Sequence, residues 1–401
     1  MPTVAVVHFP SSGHIRPILP LVSALNAAGL RTVQWAQAEW EQGCLAAGGE
    51  FRALPEPPDV SLAAPLPLLI AEFLAVYAER LAPFMSEQLA DARCDVVLRD
   101  SFAQYGHYAA RENGLSQYVV PAMMAFHRGC RPSLRDAPSF AVGYAKGVRE
   151  ARNMRRISRR MRRRYGQGLG SALDVFAGRH GSPTFVMTVP SLQMRPRGLR
   201  GEDVRYIGAL RALGADTGPP EPALDGLGDD ERVIYVSLGT VFEERPAFFR
   251  AAAEALAGFG RRVILSIGRT PPEAVGPLPP GVVACAEVDQ IAVLRRAELF
   301  VTHAGFNSVQ EGMAAGVPLV LCPLMFEQAM NADVVVAQGA GVRVRGDSAQ
   351  ALREAVERVL AEPSHREAAQ RLARELREGA RADEAVELLA AAAAAHAAAG
   401  A

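Results

Sequence analysis

The sequence lacks the features that mark several large classes of protein. Its 43 basic and 43 acidic side chains cancel over 401 residues, so no net charge attracts nucleic acid or an anionic membrane. Its five cysteines show neither a CxxC pair nor the Cys/His spacing of a zinc site. These absences argue against a nucleic-acid-binding protein and predict free thiols in a reducing cytoplasm.

Long apolar runs are scarce as well. The N-terminal run VAVVHF is too short for a signal peptide, and no basic residues precede it. The stretch 62–78 is apolar but carries two prolines and Glu72, a composition that favours a buried or cleft-lining helix over a membrane span. We therefore expect a cytoplasmic protein without stable membrane insertion.

The sequence does contain a repeated alternation of short apolar strands and helices. TVAVVHF (3–9) is typical of a buried strand, a helical pattern follows and ends at Gly29, and the next strand begins at Arg31. RVIYVSL (232–238) starts the same order again. This β-loop-α-β order predicts a parallel, doubly wound sheet in each half.

The chain is too long for one ordinary core, and we predict an α/β protein with two Rossmann-like domains. Residues 1–207 form the first domain and 232–382 the second, while 208–231, rich in Gly, Pro and Asp, form a linker. The alanine-rich end, 383–401, is expected to form a helix that packs back across the domains. Because ligands bind at the carboxyl ends of strands, two facing domains predict a cleft between them.

A polar turn joins a predicted strand to a predicted helix in FVTHAGFNSVQEG. A helix mouth presents free N–H groups to phosphate, His303 adds a donor, and Gly305 allows a close approach. Asn307 and Ser308 offer side-chain donors, and Glu311, one turn further on, suits paired sugar hydroxyls. Ser308-x-x-Glu311 is also a capping-box pattern that needs no ligand, and the spacing leaves both interpretations open.

Other polar groups follow strands of the second half. VSLGTVF places Ser237, Gly239 and Thr240 at a strand end, which gives a second anion-compatible loop on the same sheet edge. PLMFEQ places Glu327 and Gln328 after another strand, where an acceptor and an amide suit a polyhydroxylated sugar. QIAVL, just before a strand, brings two further groups near a nucleobase: the Gln290 side chain and the Val288 backbone.

The first half offers one candidate general base. His14 follows the first strand at the start of a helix, and a histidine there can accept a proton near neutral pH. Asp100 ends the strand CDVVLRD in the same half. An aspartate hydrogen-bonded to a histidine Nδ1–H fixes the tautomer and stabilises the imidazolium, so we predict that the two form a catalytic pair.

Together the segments GHIRPILPL, VSLGTVF and VDQIAVLRRAELFVTHAGFNSVQEGMAAGVPLVLCPLMFEQAMNADVV resemble family 1 glycosyltransferases of the GT-B fold. They are especially similar to bacterial enzymes that glycosylate macrolides and other natural products. The resemblance implies a nucleotide-sugar co-substrate, dTDP- or UDP-linked, in the second domain and an acceptor alcohol in the first, with no permanently bound cofactor. It leaves open whether the chain forms a homodimer.

The resemblance also implies roles for individual residues. His14 would be the catalytic base and Asp100 its partner, in a direct displacement that inverts the anomeric carbon. Donor contacts fall on the diphosphate-binding Ser237, Thr240, His303, Asn307 and Ser308, the ribose-binding Glu311, the sugar-binding Glu327 and Gln328, and Gln290 near the base. This sequence has Glu287-Val288-Asp289-Gln290 where the family usually has Trp-Val-Pro-Gln. No D-x-D pattern of metal-dependent transferases occurs, so no metal is expected.

Two segments of the first half concern the acceptor. An apolar, adaptable pocket wall is predicted from Met123, Met124, Phe126, Phe140 and Tyr144. The segment 149–165 combines arginines with an apolar stripe at three- and four-residue steps, which predicts an amphipathic helix with a solvated arginine face. Binding of an acidic acceptor and contact with anionic lipid are the alternatives.

Other functions share this architecture. A sugar-nucleotide 2-epimerase would turn over donor without acceptor, and His14 with Asp100 would have no part in it. A non-catalytic activator of another transferase would be expected to have lost that pair. A dinucleotide oxidoreductase fits poorly, because no G-x-G-x-x-G follows the first strand.

Overall fold

The structure, a computed structural model, contains two compact units, each built on a parallel β-sheet. It describes residues 1–56, 67–127, 129–130, 148–199, 203–213, 220–239, 244–346 and 348–399. Unit 1 is formed by Met1–Arg211 together with Gly379–Ala401, and unit 2 by Ala212–Glu378. Residues 214–219 of the predicted linker lie outside the described residues.

Seven parallel strands form the sheet of unit 1 within the described residues. They are β1 (Thr3–Val7), β2 (Arg31–Ala36), β3 (Glu50–Ala53), β4 (Val96–Asp100), β5 (Ser116–Val120), β6 (Thr184–Val186) and β7 (Val204–Tyr206). Their lateral order is β3-β2-β1-β4-β5-β6-β7, so the order of strands reverses between β1 and β4. Such a reversal is the topological switch point, where ligands bind in open sheets of this kind.

Helices pack on this sheet and bury its apolar side chains. Up to residue 199 they are α1 (Ser12–Ala27), α2 (Glu41–Ala46), α3 (Pro67–Asp91), α4 (Gln104–Glu112), α5 (Val148–Tyr165) and α6 (Ala172–Ala177). In α1, Ile18, Leu21 and Leu25 recur at three- and four-residue steps and are buried in one cluster with Val4 and Val6 of β1. Burial of each such side chain stabilises the fold by about 1.5–3 kcal/mol.

Unit 2 repeats the plan with six parallel strands among the described residues. They are β8 (Val233–Ser237), β9 (Arg262–Ser266), β10 (Val282–Cys285), β11 (Ala297–Thr302), β12 (Leu319–Leu321) and β13 (Gly341–Arg343), in the lateral order β10-β9-β8-β11-β12-β13. The helices are α7 (Pro246–Leu256), α8 (Pro272–Val275), α9 (Gln290–Arg296), α10 (Phe306–Ala314), α11 (Phe326–Ala337), α12 (Ala349–Ala361) and α13 (Pro363–Glu378). The switch point of this sheet lies between β8 and β11.

The last helix, α14 (Ala382–Ala399), belongs to unit 1 although unit 2 precedes it in the chain. Ala385, Leu389 and Ala393 lie four residues apart and are fully buried in the core cluster that contains Val4 and Leu98. The small alanine side chains allow a close approach to the sheet, and the leucine fills the space between them.

The prediction of two parallel, doubly wound α/β sheets is confirmed. The segment 62–78 is described from Pro67 onward, where it begins α3, and α3 continues to Asp91 beyond the apolar stretch. No helix in the described ranges is long and apolar enough to span a bilayer. All five cysteines are free, as predicted.

The predicted amphipathic helix is α5. Its apolar stripe, Met154, Ile157, Met161 and Tyr165, is buried. Its nine arginines are all exposed: Arg149, Arg152, Arg155, Arg156, Arg159, Arg160, Arg162, Arg163 and Arg164. The stripe therefore accounts for how α5 packs, while Arg160 forms an ion pair with Glu79 of α3.

Candidate active site

His14 and Asp100 meet at the switch point of unit 1. Asp100 is the last residue of β4, and His14 is the third residue of α1, which follows the neighbouring strand β1. His14 Nδ1 lies 2.9 Å from Asp100 Oδ2, and the Phe102 N–H donates to Asp100 Oδ1 at 2.7 Å. Because a carboxylate only accepts hydrogen bonds, Nδ1 carries the proton in neutral His14 and Nε2 keeps its lone pair.

Burial shields the hydrogen bond between His14 and Asp100 from water. The Asp100 side chain is fully buried and the His14 side chain is 14% exposed. Asp100 therefore has little water to compete for its oxygens, both of which accept a hydrogen bond. Such an arrangement fixes both the tautomer and the orientation of the ring.

Aromatic rings surround His14, and the sequence analysis missed most of them. The Phe9 and Phe102 rings lie with their centroids 5.0 and 4.9 Å from that of His14. Phe102 contacts Phe176 edge-on at 5.3 Å, and Phe176 contacts Phe126 at 4.8 Å. Of these four rings only Phe126 was predicted, because the others come from loops and a helix without a periodic pattern. We call Phe9, Phe102, Phe126 and Phe176 the aromatic cluster.

The structure places the other predicted acceptor residues as follows. Met123 and Met124 follow β5 and are buried, and Met124 is completely inaccessible. The Gln193 side chain holds the backbone here, since its amide oxygen accepts from the Ala125 N–H at 2.9 Å. Phe140 and Tyr144 lie outside the described residues.

Ser237 and His303 lie at the switch point of unit 2. Ser237 ends β8 and pairs in register with Thr302, the last residue of β11, so His303 follows directly beside it. Thr240 lies outside the described residues. Burial lowers the pKa of His303 to about 4, so the ring is neutral at pH 7.

Two glycines make room for the His303 ring. A Cβ at Gly239, where φ is +75°, would lie 2.8 Å from His303 Cε1, and a Cβ at Gly305 would lie 2.4 Å from Nε2. Gly239 also needs its left-handed backbone, in which its N–H donates to Ser237 Oγ at 3.3 Å. Both predicted glycines therefore shape the turn around the imidazole.

The helix after this turn begins at Phe306, with Gly305 as its N-cap. Asn307 and Ser308 therefore lie in its first turn, and Glu311 is buried in the second. The capping-box interpretation of Ser308 and Glu311 is wrong, because Ser308 is inside the helix and no side chain caps it. The N–H groups of the first turn remain suited to an anion.

The sugar candidates lie in the first turn of α11. Gln328 Oε1 accepts hydrogen bonds from the Leu324 and Met325 N–H groups at 2.8 and 3.1 Å, so this oxygen holds the backbone at the N-terminus of the helix. Asn331, which the sequence analysis missed, donates to Glu327 Oε1 at 2.7 Å and to the Ala304 carbonyl at 2.9 Å. One amide thus joins Glu327 to the His303 turn, where Ala304 has the unusual φ of +63°.

The nucleoside candidates form a hydrogen-bonded chain. The Tyr235 hydroxyl donates to Gln290 Oε1 at 3.1 Å, and Gln290 Nε2 donates to Glu311 Oε2 at 2.5 Å. Val288 lies in the loop just before α9, half-buried. The sequence placed Gln290 against a base, whereas here both ends of its amide contact the protein.

The loop just before α9, which contains Val288 and Asp289, is held by its own hydrogen bonds. The Asp289 side chain caps α9 by accepting from the Ile291 and Ala292 N–H groups at 3.0 and 3.2 Å. The Asp289 N–H donates to Glu221 Oε2 at 2.6 Å. Among the described residues no group of three or more His, Cys, Asp or Glu could hold a metal ion.

Comparisons with known proteins agree with this architecture. Residues 202–382 match the sequence model of the family described as UDP-glucoronosyl and UDP-glucosyl transferase. The oleandomycin glycosyltransferase of Streptomyces antibioticus is 28% identical over 353 residues, which cover 84% of this chain and 78% of that enzyme. The solved glycosyltransferase of kitacinnamycin has a TM-score of 0.84 and is 25% identical, with 98% of this chain and 99% of that one covered. CalG4, the calicheamicin glycosyltransferase, has a TM-score of 0.78 at 25% identity, with 98% of both chains covered.

The protein is a glycosyltransferase of the GT-B fold. It has two Rossmann-type units with polar groups at both switch points, and it is similar to these enzymes over nearly the whole chain. The family match covers residues 202–382, and over most of its length the chain is similar to bacterial glycosyltransferases such as the oleandomycin enzyme.

Proposed function

We propose that the protein is an inverting O-glycosyltransferase that moves a sugar from a dTDP- or UDP-sugar to a hydroxyl group of a hydrophobic natural product. The hydrogen bond between His14 Nδ1 and Asp100 Oδ2 carries this proposal, because it prepares His14 Nε2 to accept a proton.

The proposed reaction is one displacement. His14 Nε2 takes the acceptor hydroxyl proton while the acceptor oxygen bonds to the anomeric carbon of the sugar. The bond from that carbon to the diphosphate oxygen breaks on the opposite face, and the nucleoside diphosphate leaves with the electron pair. Asp100 stabilises the imidazolium that forms, and the buried carboxylate holds the ring in place throughout.

The leaving diphosphate needs donors where its charge develops. First-turn N–H groups of α10 and the His303 ring are suited to this, and we assign them to the diphosphate with Ser237, Thr240, Asn307 and Ser308. His303 is neutral before binding, so it acts as a hydrogen-bond donor rather than as a preformed cation. Glu311 is assigned to ribose hydroxyls, and Glu327 with the Gln328 amide nitrogen to sugar hydroxyls.

The acceptor is proposed to be an aromatic or polyketide-type alcohol or phenol. The partly exposed Phe9 ring beside His14, backed by the buried rings of Phe102, Phe126 and Phe176, supports this class, because aromatic rings bind flat apolar molecules better than they bind sugars or peptides. Similarity to oleandomycin glycosyltransferase and to the 4'-demethylrebeccamycin synthase of Lentzea aerocolonigenes, which is 26% identical over 410 residues, also supports a natural-product acceptor.

A donor-by-acceptor panel tests the proposal. The purified protein is incubated with UDP- and dTDP-sugars and a set of macrolides, anthraquinones and flavonols, and the products are detected by mass spectrometry. We expect a mass gain of one sugar residue on hydrophobic hydroxyl acceptors and none with His14→Ala. Donor epimerisation without any acceptor would identify a sugar-nucleotide epimerase instead, and full activity of His14→Ala would remove His14 as the base.

A further inference from the structure

Glu311 is held by a partly buried chain of hydrogen bonds that starts at Tyr235. Tyr235 lies in the middle of β8, is 1% exposed and stacks on Phe300 of β11 with ring centroids 4.8 Å apart. Its hydroxyl donates to Gln290 Oε1, and Gln290 Nε2 donates to Glu311 Oε2. A residue of the sheet core thus contacts the candidate ribose carboxylate through one amide.

The chemistry of the three groups fixes the direction of the chain. A carboxylate accepts hydrogen bonds only, so the NH₂ group of Gln290 must face Glu311. The amide oxygen then faces Tyr235 and requires a donor, which the phenol supplies. The phenol also has hydrogen bonds with the side chains of Ser237 and Ser266. Burial raises the pKa of Tyr235 to about 12, so the hydroxyl keeps its proton throughout the neutral range.

The surroundings make the phenol position rigid. The ring is stacked on Phe300 at an interplanar angle of 17°, and β8 is the central strand of the sheet beside β11. Gln290 is the first residue of α9, whose N-cap Asp289 is itself hydrogen-bonded to Glu221. Both supports of Glu311 therefore come from fixed elements, and the carboxylate has its orientation before any ligand arrives.

We propose that Tyr235 is a positioning residue that sets recognition of the ribose hydroxyls by orienting Glu311 through Gln290. The inference rests on the proposed assignment of Glu311 to the ribose and adds the residues that control it. Gln290 accordingly acts on the sugar of the nucleoside rather than on its base. The chain raises affinity for nucleotides that carry ribose hydroxyls and leaves the chemical step unchanged.

Calorimetric titration of the full-length protein with nucleoside diphosphates tests this without relying on turnover. The probes are UDP and dTDP, each paired with its 2′,3′-dideoxy analogue. Tyr235→Phe should weaken binding of UDP or dTDP about fivefold to tenfold, the effect of losing one hydrogen bond between neutral groups, and change binding of the dideoxy analogue less than about twofold. Steady-state kinetics should show the donor KM rising with kcat nearly unchanged.

A double-mutant cycle separates positioning from packing. In a Glu311→Gln background, Tyr235→Phe should have almost no further effect on binding, because the group through which it acts has already been changed. Gln290→Leu should reproduce the Tyr235→Phe loss by breaking the chain at its other link. Tyr206→Phe is the matched control, since Tyr206 lies on β7 of unit 1 and its buried hydroxyl has no partner among the described residues.

The outcomes are distinct. Equal losses for UDP and its dideoxy analogue, or additive effects in the cycle, would overturn the inference and assign Tyr235 a role in packing or in holding Ser237. An unchanged affinity in Tyr235→Phe, with wild-type binding intact, would overturn it while leaving the proposed function in place. A wild-type protein that binds neither UDP nor dTDP would remove the proposed donor and this inference together.

Discussion

His14 and Asp100 are 86 positions apart in the chain, yet their side chains meet at 2.9 Å because β1 and β4 are neighbours in the sheet. The geometry gives the two residues different roles: His14 Nε2 carries the lone pair, and Asp100 orients the His14 ring.

That difference predicts the order of two activity losses. His14→Ala should lower kcat about 10²–10⁴-fold, the usual contribution of a general base. Asp100→Asn should cost less, because the base remains and only its orientation and charge support are weakened. Single-turnover rates with a saturating acceptor measure both. His396→Ala on α14 serves as the control, and a larger loss for Asp100→Asn than for His14→Ala would contradict these roles.

The glycine beside His303 predicts a steric effect. In Gly305→Ala the added methyl would lie 2.4 Å from Nε2, so the ring or the start of α10 must move. We expect a loss of about 1–3 kcal/mol in the free energy of unfolding and weaker nucleoside diphosphate binding. Gly228→Ala is the matched control, because a Cβ there meets its nearest atom, in Glu231, at 3.7 Å. Denaturant unfolding and calorimetry would show equal behaviour of the two variants if the contact were unimportant.

The lowered pKa of His303 predicts proton uptake on donor binding. The ring is neutral at pH 7 because burial lowers its pKa to about 4, and an anionic diphosphate beside it would raise that pKa. Affinity should therefore increase as the pH falls from 7.5 towards 5.5. Titration in buffers of different ionisation enthalpy measures the protons taken up. In His303→Asn, the remaining proton uptake arises from the phosphate itself. Identical uptake by wild type and variant would exclude His303 as the group that takes up the proton.

Buried histidines also predict sensitivity of the fold to acid. Burial lowers the pKa of His8 to about 4 and that of His107 to about 3, from 6.5 in both cases. Below pH 6.5 the unfolded chain binds protons that the folded state does not bind, so stability is complete above 6.5 and falls as the pH drops towards 4. A histidine shifted from 6.5 to about 4 contributes roughly 3 kcal/mol to this loss. Denaturant unfolding at several pH values measures it, and His8→Asn should flatten the dependence.

The arginine face of α5 predicts a surface with little part in stability. Arg155 and Arg159 are exposed and four residues apart, a like-charge spacing that disfavours a helix by about 0.2–0.5 kcal/mol. Their replacement by glutamine should leave the free energy of unfolding unchanged or slightly higher. Met161→Ala, on the buried stripe, should lower it by about 2–5 kcal/mol. A large loss from the glutamine variant would mean that the arginines hold the fold together.

The sequence could predict those features that depend on periodicity and chain order. β-branched runs ending in small polar turns identified strands such as β1, β4 and β8, whereas the short strands β3, β6, β7 and β13 were not predicted. Parallel order alone placed His14 near Asp100. Side-chain partners across the fold could not be predicted. Phe176 reaches the neighbourhood of His14 from a distant helix, and Asn331 links two loops, because tertiary packing rather than local pattern brings them there.

Helix starts were the other source of error. The pattern Ser308-x-x-Glu311 suggested a cap, but Gly305 begins the helix earlier because only a residue without Cβ fits against His303. Gln328 Oε1 accepts a hydrogen bond from the Leu324 N–H at the start of α11, a role that sequence spacing did not suggest.

Asp289 joins the start of α9 to Glu221, and this connection affects which substitutions the chain can accept one at a time. Its N–H bonds to Glu221, and its carboxylate receives two N–H groups of α9. Asp289→Pro would remove all three hydrogen bonds in one step and leave Glu221 Oε2 to be solvated by water. Glu221 and Asp289 are therefore coupled sites, so the effect of a substitution at one of them should depend on the residue at the other.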